Sequence, residues 1–231
     1  MNTNDEALNK VIDTLKDNFI KAQTENQNNI NEMINSLELI ELIYNSIPDS
    51  TTKTVFAEAR SDLMHSMIFC FQGFYRQANI CLRSSIELII SFLYYYDNQY
   101  DFILWKNDCI DMTWSQLTNM DKGVFNPKYL NIVYGDHICV DVFLREIQNM
   151  YHLTSQSVHG KYEYMQQRLS DRIAYSKSLT NEFFNSSKKI IEIEMLLLFI
   201  RFKNEITIKF DPTDVSYLNA LLNKYEVVNH E

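Results

Sequence analysis

Five polar residues in one stretch of this chain have the types and spacing to hold a phosphate. In VDVFLREIQNMYHLTSQSVHG, residues 140–160, Arg145, Gln148, His152, Ser155 and His159 fall within an arc of roughly 80° at about 100° per residue. Arg145, His152 and His159 recur every seven residues, so they stack two turns apart along one line. An arginine supplies a bidentate charged donor. Histidine is the side chain whose charge changes near neutral pH, which suits it to moving protons. A solvated polar face made of the same residue types would serve an amphipathic helix without any chemistry.

A second polar line lies in GFYRQANICLRSSIELIISFLYYY, Gly73 to Tyr96. Arg76, Arg83 and Glu87 sit one or two turns apart on one side of a helix that is otherwise apolar nearly all round. Tyr75, Ala78, Leu82, Ile86, Ile89 and Leu93 share a narrow arc, and Phe74, Cys81, Leu88, Phe92 and Tyr95 cover most of the rest. Such a helix belongs in the middle of a bundle, where charge is costly unless partnered. Arg83 and Glu87, at i and i+4, can satisfy each other as an intrahelical ion pair. Arg83 can equally cap a helix end or meet a buried carboxylate.

The rest of the chain reads as helices that position these two. Residues 5–24 and roughly 30–44 are amphipathic, and 1–46 is expected to form an N-terminal helical hairpin packed on the main core, with an arm used for dimerisation as the alternative. IPDSTTK, Ile47 to Lys53, breaks the pattern with a proline and a run of hydroxyl residues that can cap the next helix. That third helix is expected from Val55 to Phe71, continuous with the central helix through a kink at Gly73 or separated from it there. Residues 97–136 hold both tryptophans, Trp105 and Trp114, in a loop-rich covering insertion of short helices. A long helix over about 178–206 turns nearly all apolar from Ile190, and Asp211-Pro212 opens a last helix over 212–225.

Composition agrees. The chain has 231 residues with only four Gly and three Pro, too few for the turns of an all-β or doubly wound fold. The expectation is a single all-α domain over 1–231, with a core over 55–205. Cys70, Cys81, Cys109 and Cys139 form no CxxC or Cys/His cluster, so no metal or other cofactor is expected. The polar N-terminus and the shortness of apolar runs such as Met195–Ile200 predict a cytoplasmic protein without a membrane span. A net charge of −9 argues against a general nucleic-acid coat, so any RNA or nucleotide site must find its arginines locally.

Three strings carry a resemblance: G-[FY]-Y-R-Q-A-x-x-x-L-R-S-x-x-E at Gly73–Glu87, an aromatic-plus-Trp segment at Phe102–Trp105, and Y-x-x-x-S-x-x-V-H-G at Tyr151–Gly160. Together they resemble bacterial all-α proteins related to the HEPN superfamily, helical domains found in toxins and abortive-infection systems. The resemblance spans about residues 55–205 and implies a HEPN-like helical bundle. The superfamily's signature is an Arg followed by a His after four to six residues; Arg145 and His152, with six between, fit it.

The resemblance implies a metal-independent endoribonuclease in a toxin or anti-phage defence role, working as a homodimer in which the signature helices meet. The 2′-hydroxyl would attack the adjacent phosphate, histidine would manage protons or orient the phosphate, and arginine would stabilise transition-state charge. Arg145 and His152 would be the signature pair, and His159 with Arg83 the alternative or supporting pair. Glu87 would orient Arg83, and Arg76, Gln148 and Ser155 would bind substrate. The competing reading is a non-catalytic helical module that binds a nucleotide or a partner protein, such as an antitoxin. A metal-dependent nucleotide pyrophosphohydrolase finds one carboxylate pair, Glu38 and Glu41, but no second ExxD motif.

Overall fold

The computed structural model describes residues 3–158 and 173–228, with side chains from Asp5 onward. Among them are ten α-helices and no strand, so the chain is all-α. They are α1 (Thr3–Glu25), α2 (Gln27–Ser46), α3 (Lys53–Phe71), α4 (Tyr75–Asp97), α5 (Gln99–Lys106), α6 (Trp114–Leu117), α7 (Pro127–Tyr134), α8 (Asp141–Val158), α9 (Lys177–Lys209) and α10 (Pro212–Lys224). No described helix is long and apolar enough to cross a membrane.

The hub is α4, with α3, α8 and α9 packed around it. The arc read from its sequence is its buried face: Tyr75, Ala78, Leu82, Ile86, Ile89 and Leu93 are all buried, with Phe92 and Tyr95 beside them. Residues 190–200 of α9 are buried without interruption, so this helix runs through the core. It bends at Phe202, whose φ of −120° and ψ of 30° leave the helical region.

Between α3 and α4 the chain stops and turns back rather than kinking. Gly73, at φ +85°, ends α3 in the left-handed conformation. The Phe74 N–H donates to the Phe69 carbonyl at 2.8 Å and the Gly73 N–H to that of Cys70 at 3.0 Å, a Schellman closure. Phe74 also packs edge-on against Phe69, the apolar contact that accompanies this motif. A Cβ on Gly73 would sit 2.9 Å from the Ala174 carbonyl oxygen, so glycine is required twice over. The two helices therefore form an antiparallel hairpin, with Phe56 near the start of α3 meeting Phe92 near the end of α4.

Two expectations change at the N-terminus. The hydroxyl run does not cap α3: Ser50 and Thr52 bond each other, and Lys53 folds back to the Ile47 carbonyl and Asp49. Nor do α1 and α2 form a hairpin packed whole on the core. They diverge from a one-residue joint at Asn26; α2 lies against α9 and α3. Contacts tying α1 to other helices come from Asn18 onward: Asn18 with Gln72 and Tyr175, Phe19 with Phe71, Glu25 with Lys177.

Candidate functional site

α4 and α8 run antiparallel, which places the ionic line of α4 against α8. Arg83 Nη2 donates to the Tyr151 hydroxyl at 2.7 Å and to Glu87 Oε1 at 3.0 Å. Seven residues earlier on α4, Arg76 Nε donates to the Ser157 carbonyl at 2.8 Å and its Nη2 to that of Val158 at 3.3 Å. Arg76 thus satisfies the last carbonyls of α8 with a cation at the negative end of the helix. Burial and the neighbouring Glu87 carboxylate push the Tyr151 hydroxyl above its ordinary pKa, and Arg83 opposes them. The Arg83 Nε is buried and has no partner among the described atoms.

The covering segment closes this seam from outside. Thr113 and Gln116 form a reciprocal capping box at the start of α6. That fixes Trp114 in the first turn, where its indole stacks on the Tyr151 ring at 3.7 Å between centroids and 8° between planes. Tyr151 thus packs against both a ring and a guanidinium, Arg83 Cζ lying 4.8 Å from its centroid.

The remaining candidates on α8 divide. Arg145, Gln148 and His152 are exposed. Arg145 bonds only back to its own helix, Nε to the Asp141 carbonyl at 3.2 Å. No hydrogen bond or ion pair joins Gln148 or His152 to another described residue. Ser155, expected on the same polar face, is buried, and its hydroxyl donates to the Tyr151 carbonyl at 2.6 Å. Ser157 is buried as well, whereas Val158 is only half-buried. The contact face drifts around α8 because packed helices cross at an angle rather than lying parallel. His159 lies outside the described residues.

The structure therefore joins Arg83, Glu87 and Tyr151 in one cluster, with Arg76 a further contact along the same seam. It does not bring Arg83 or Glu87 into contact with Arg145 or His152. On the 100° count, His152 lies about 100° round the helix from Tyr151. A cavity of about 260 Å³ at the end of α8 is lined by Tyr75, Asn79, Leu153, Ser157, Leu179 and Glu182 among others, so it opens beside Leu153 and Ser157. Two members of the seam, Tyr151 and Trp114, were not singled out by helical spacing. Tyr151 stands in the Tyr151–Gly160 string, but nothing in that string marks it as the residue Arg83 meets.

Of the carboxylate pair, Glu41 forms an ion pair with Arg60 and Glu38 is exposed. Among the described residues no three His, Cys, Asp or Glu side chains gather as metal ligands would. No family model matches this chain, and neither does any curated protein or solved structure.

Proposed function

We propose that this chain is a HEPN-like protein of a toxin or anti-phage system that acts on RNA as a metal-independent endoribonuclease, with Arg145 and His152 as its working pair. One observation carries the reading: both side chains stand exposed on the same strip of α8, together with Gln148, unengaged by any other described helix. A phosphate approaching that strip meets a guanidinium, an amide and an imidazole in sequence. In this reading His152 takes the proton from the attacking 2′-hydroxyl or orients the phosphate, and Arg145 stabilises the charge that builds on the phosphoryl oxygens. Arg83 and Glu87 hold α8 against α4 through Tyr151 and act as positioning residues.

The second reading, a non-catalytic module binding a nucleotide or partner protein, has its own support. Arg76, Arg83 and Glu87 are occupied by structural partners, which leaves Arg145 and His152 as an open strip rather than a pocket.

The purified chain, incubated with a mixed RNA pool in EDTA beside Arg145→Ala and His152→Ala, separates the two. Cleavage by wild type that falls at least about 10²-fold in both folded variants supports the enzyme. Salt-sensitive binding without cleavage, weakened by Arg145→Ala, supports the module. Cleavage equal in all three proteins sinks the assignment of this pair.

A further inference from the structure

We infer that α1 pairs with α1 of a second copy of this chain, antiparallel, through a seam of Leu8, Val11, Ile12 and Leu15. The starting observation is an apolar face whose first part, Leu8, Val11 and Ile12, no described residue covers, while Leu15 is half-buried. Leu8 is 60% exposed, Val11 44% and Ile12 39%, although the three share one side of the helix with Leu15 and Phe19. Among the described residues, the hydrogen bonds, ring contact and ion pair that tie α1 to the body run from Asn18 onward, through Gln72, Phe71, Tyr175 and Lys177. Its first three turns, about 15 Å at 1.5 Å per residue, therefore carry Leu8, Val11 and Ile12 in water. Apolar residues recurring at this spacing suit a helix partner.

The stripe is complementary to itself in one orientation. Set antiparallel about a two-fold axis near residues 11–12, Leu8 of one copy faces the partner's Leu15, and Val11 faces the partner's Ile12. Asp5 and Lys16 lie on the same flank of the stripe, within about 20° of each other on the helical wheel. In the antiparallel register each Asp5 then approaches the partner's Lys16, twice over by symmetry. In a parallel arrangement this flank falls on opposite sides of the seam in the two copies, so Asp5 and Lys16 make no such pair. Lys16 otherwise has only a loose exposed pair, 3.7 Å from Asp13, which costs little to exchange. This interface uses a different surface from the α8 strip and does not depend on what that strip does.

Sedimentation equilibrium of the full chain tests it. Wild type should approach twice the 27.4 kDa of one copy in the micromolar range. Leu8→Glu with Val11→Glu should be a monomer at the same concentration, still helical by circular dichroism and still melting cooperatively, with a melting temperature that no longer rises with protein concentration. Asp5→Lys should weaken dimerisation about tenfold by setting lysine against lysine, and Asp5→Lys with Lys16→Asp should restore it. A monomeric wild type across that range overturns the proposal. So does a dimer whose mass the Leu8/Val11 variant leaves unmoved, or one that the charge exchange fails to rescue. Arg145→Ala and His152→Ala should leave the mass at the wild-type value.

Discussion

Arg83 and Ser85 stand two residues apart on α4 and face different helices, and the two seams treat charge in opposite ways. Toward α8, the Arg83 guanidinium is partnered by Glu87 and the Tyr151 hydroxyl. Toward α9, Ser85 donates to Glu194 Oε1 at 2.5 Å, and no cation accompanies that carboxyl. Glu194 is fully buried, and its Oε2 has no partner. Burial, with the Asp62 carboxylate nearby, pushes its pKa up to about 8, so at neutral pH the α9 seam holds mostly a neutral acid. A buried charge is tolerated when partnered and discharged when it is not. Only two residues away, Glu192 shows the first solution again, bonded by Lys224 at 2.5 Å and the Tyr225 hydroxyl at 2.8 Å.

The largest consequence lies at Glu194. A carboxyl whose pKa is raised on folding adds stability that is complete below its unfolded value, near 4.5, and lost as pH rises through about 8. At about 1.4 kcal/mol per pK unit the loss is on the order of a few kcal/mol. Glu194→Gln should abolish that slope, so the stability difference between wild type and variant should change between pH 4.5 and 8 and level off outside that window. Chemical denaturation across this range measures it. A difference independent of pH would mean that Glu194 has a counter-charge, and the contrast between the seams would disappear.

On the α8 side the same logic predicts damage from removing the partner rather than from pH. Arg83→Ala strands Glu87, half-exposed at 34%, and leaves the Tyr151 hydroxyl without its donor. With the partial exposure of Glu87 discounted, the cost should be about 2–3 kcal/mol. Arg83→Lys should recover only part of it, because an ammonium cannot reproduce the planar fork beside an aromatic ring. Equal melting temperatures for Arg83→Ala and wild type would show that the seam is held by packing alone. Trp114→Ala, which uncovers one face of the half-buried Tyr151, should cost about 1–2 kcal/mol, less than truncation in a closed core.

The same division separates the features legible in the sequence from those that were not. Periodicity located α4 and its buried arc, Gly73 marked a break, and Asp211-Pro212 marked the start of α10, where the Asp211 carboxylate accepts from Thr213 N–H at 2.8 Å. These are local matters, settled by the turn a residue stands on. What periodicity does not say is which neighbour arrives. It assigned α1 an apolar face, and the structure leaves the first part of that face bare. It set Ser155 among the polar residues, and the oblique approach of α4 buries it. It read residues 190–206 as an apolar core segment, and two of the carboxylates within it, Glu192 and Glu194, are buried groups with opposite fates. The ion pair of Arg83 and Glu87 was readable from i,i+4 spacing; Tyr151 as its third member needed the antiparallel pairing of α4 with α8.

The smallest expected effect concerns the outward strip of α8. Arg145 and His152 are exposed, and no described partner depends on either. Removing them strands nothing, so Arg145→Ala and His152→Ala should each alter stability by no more than about 0.5 kcal/mol. This near-silence gives the strip its diagnostic value. A protein that loses RNA cleavage or binding through these substitutions while melting like wild type has lost chemistry rather than structure. For Arg83 the same loss could be explained by a loosened α8. A shift above about 1 kcal/mol in either exposed variant would show that the strip is held by contacts of its own, and Arg145 and His152 would then join Arg83 and Glu87 on the structural side of the comparison.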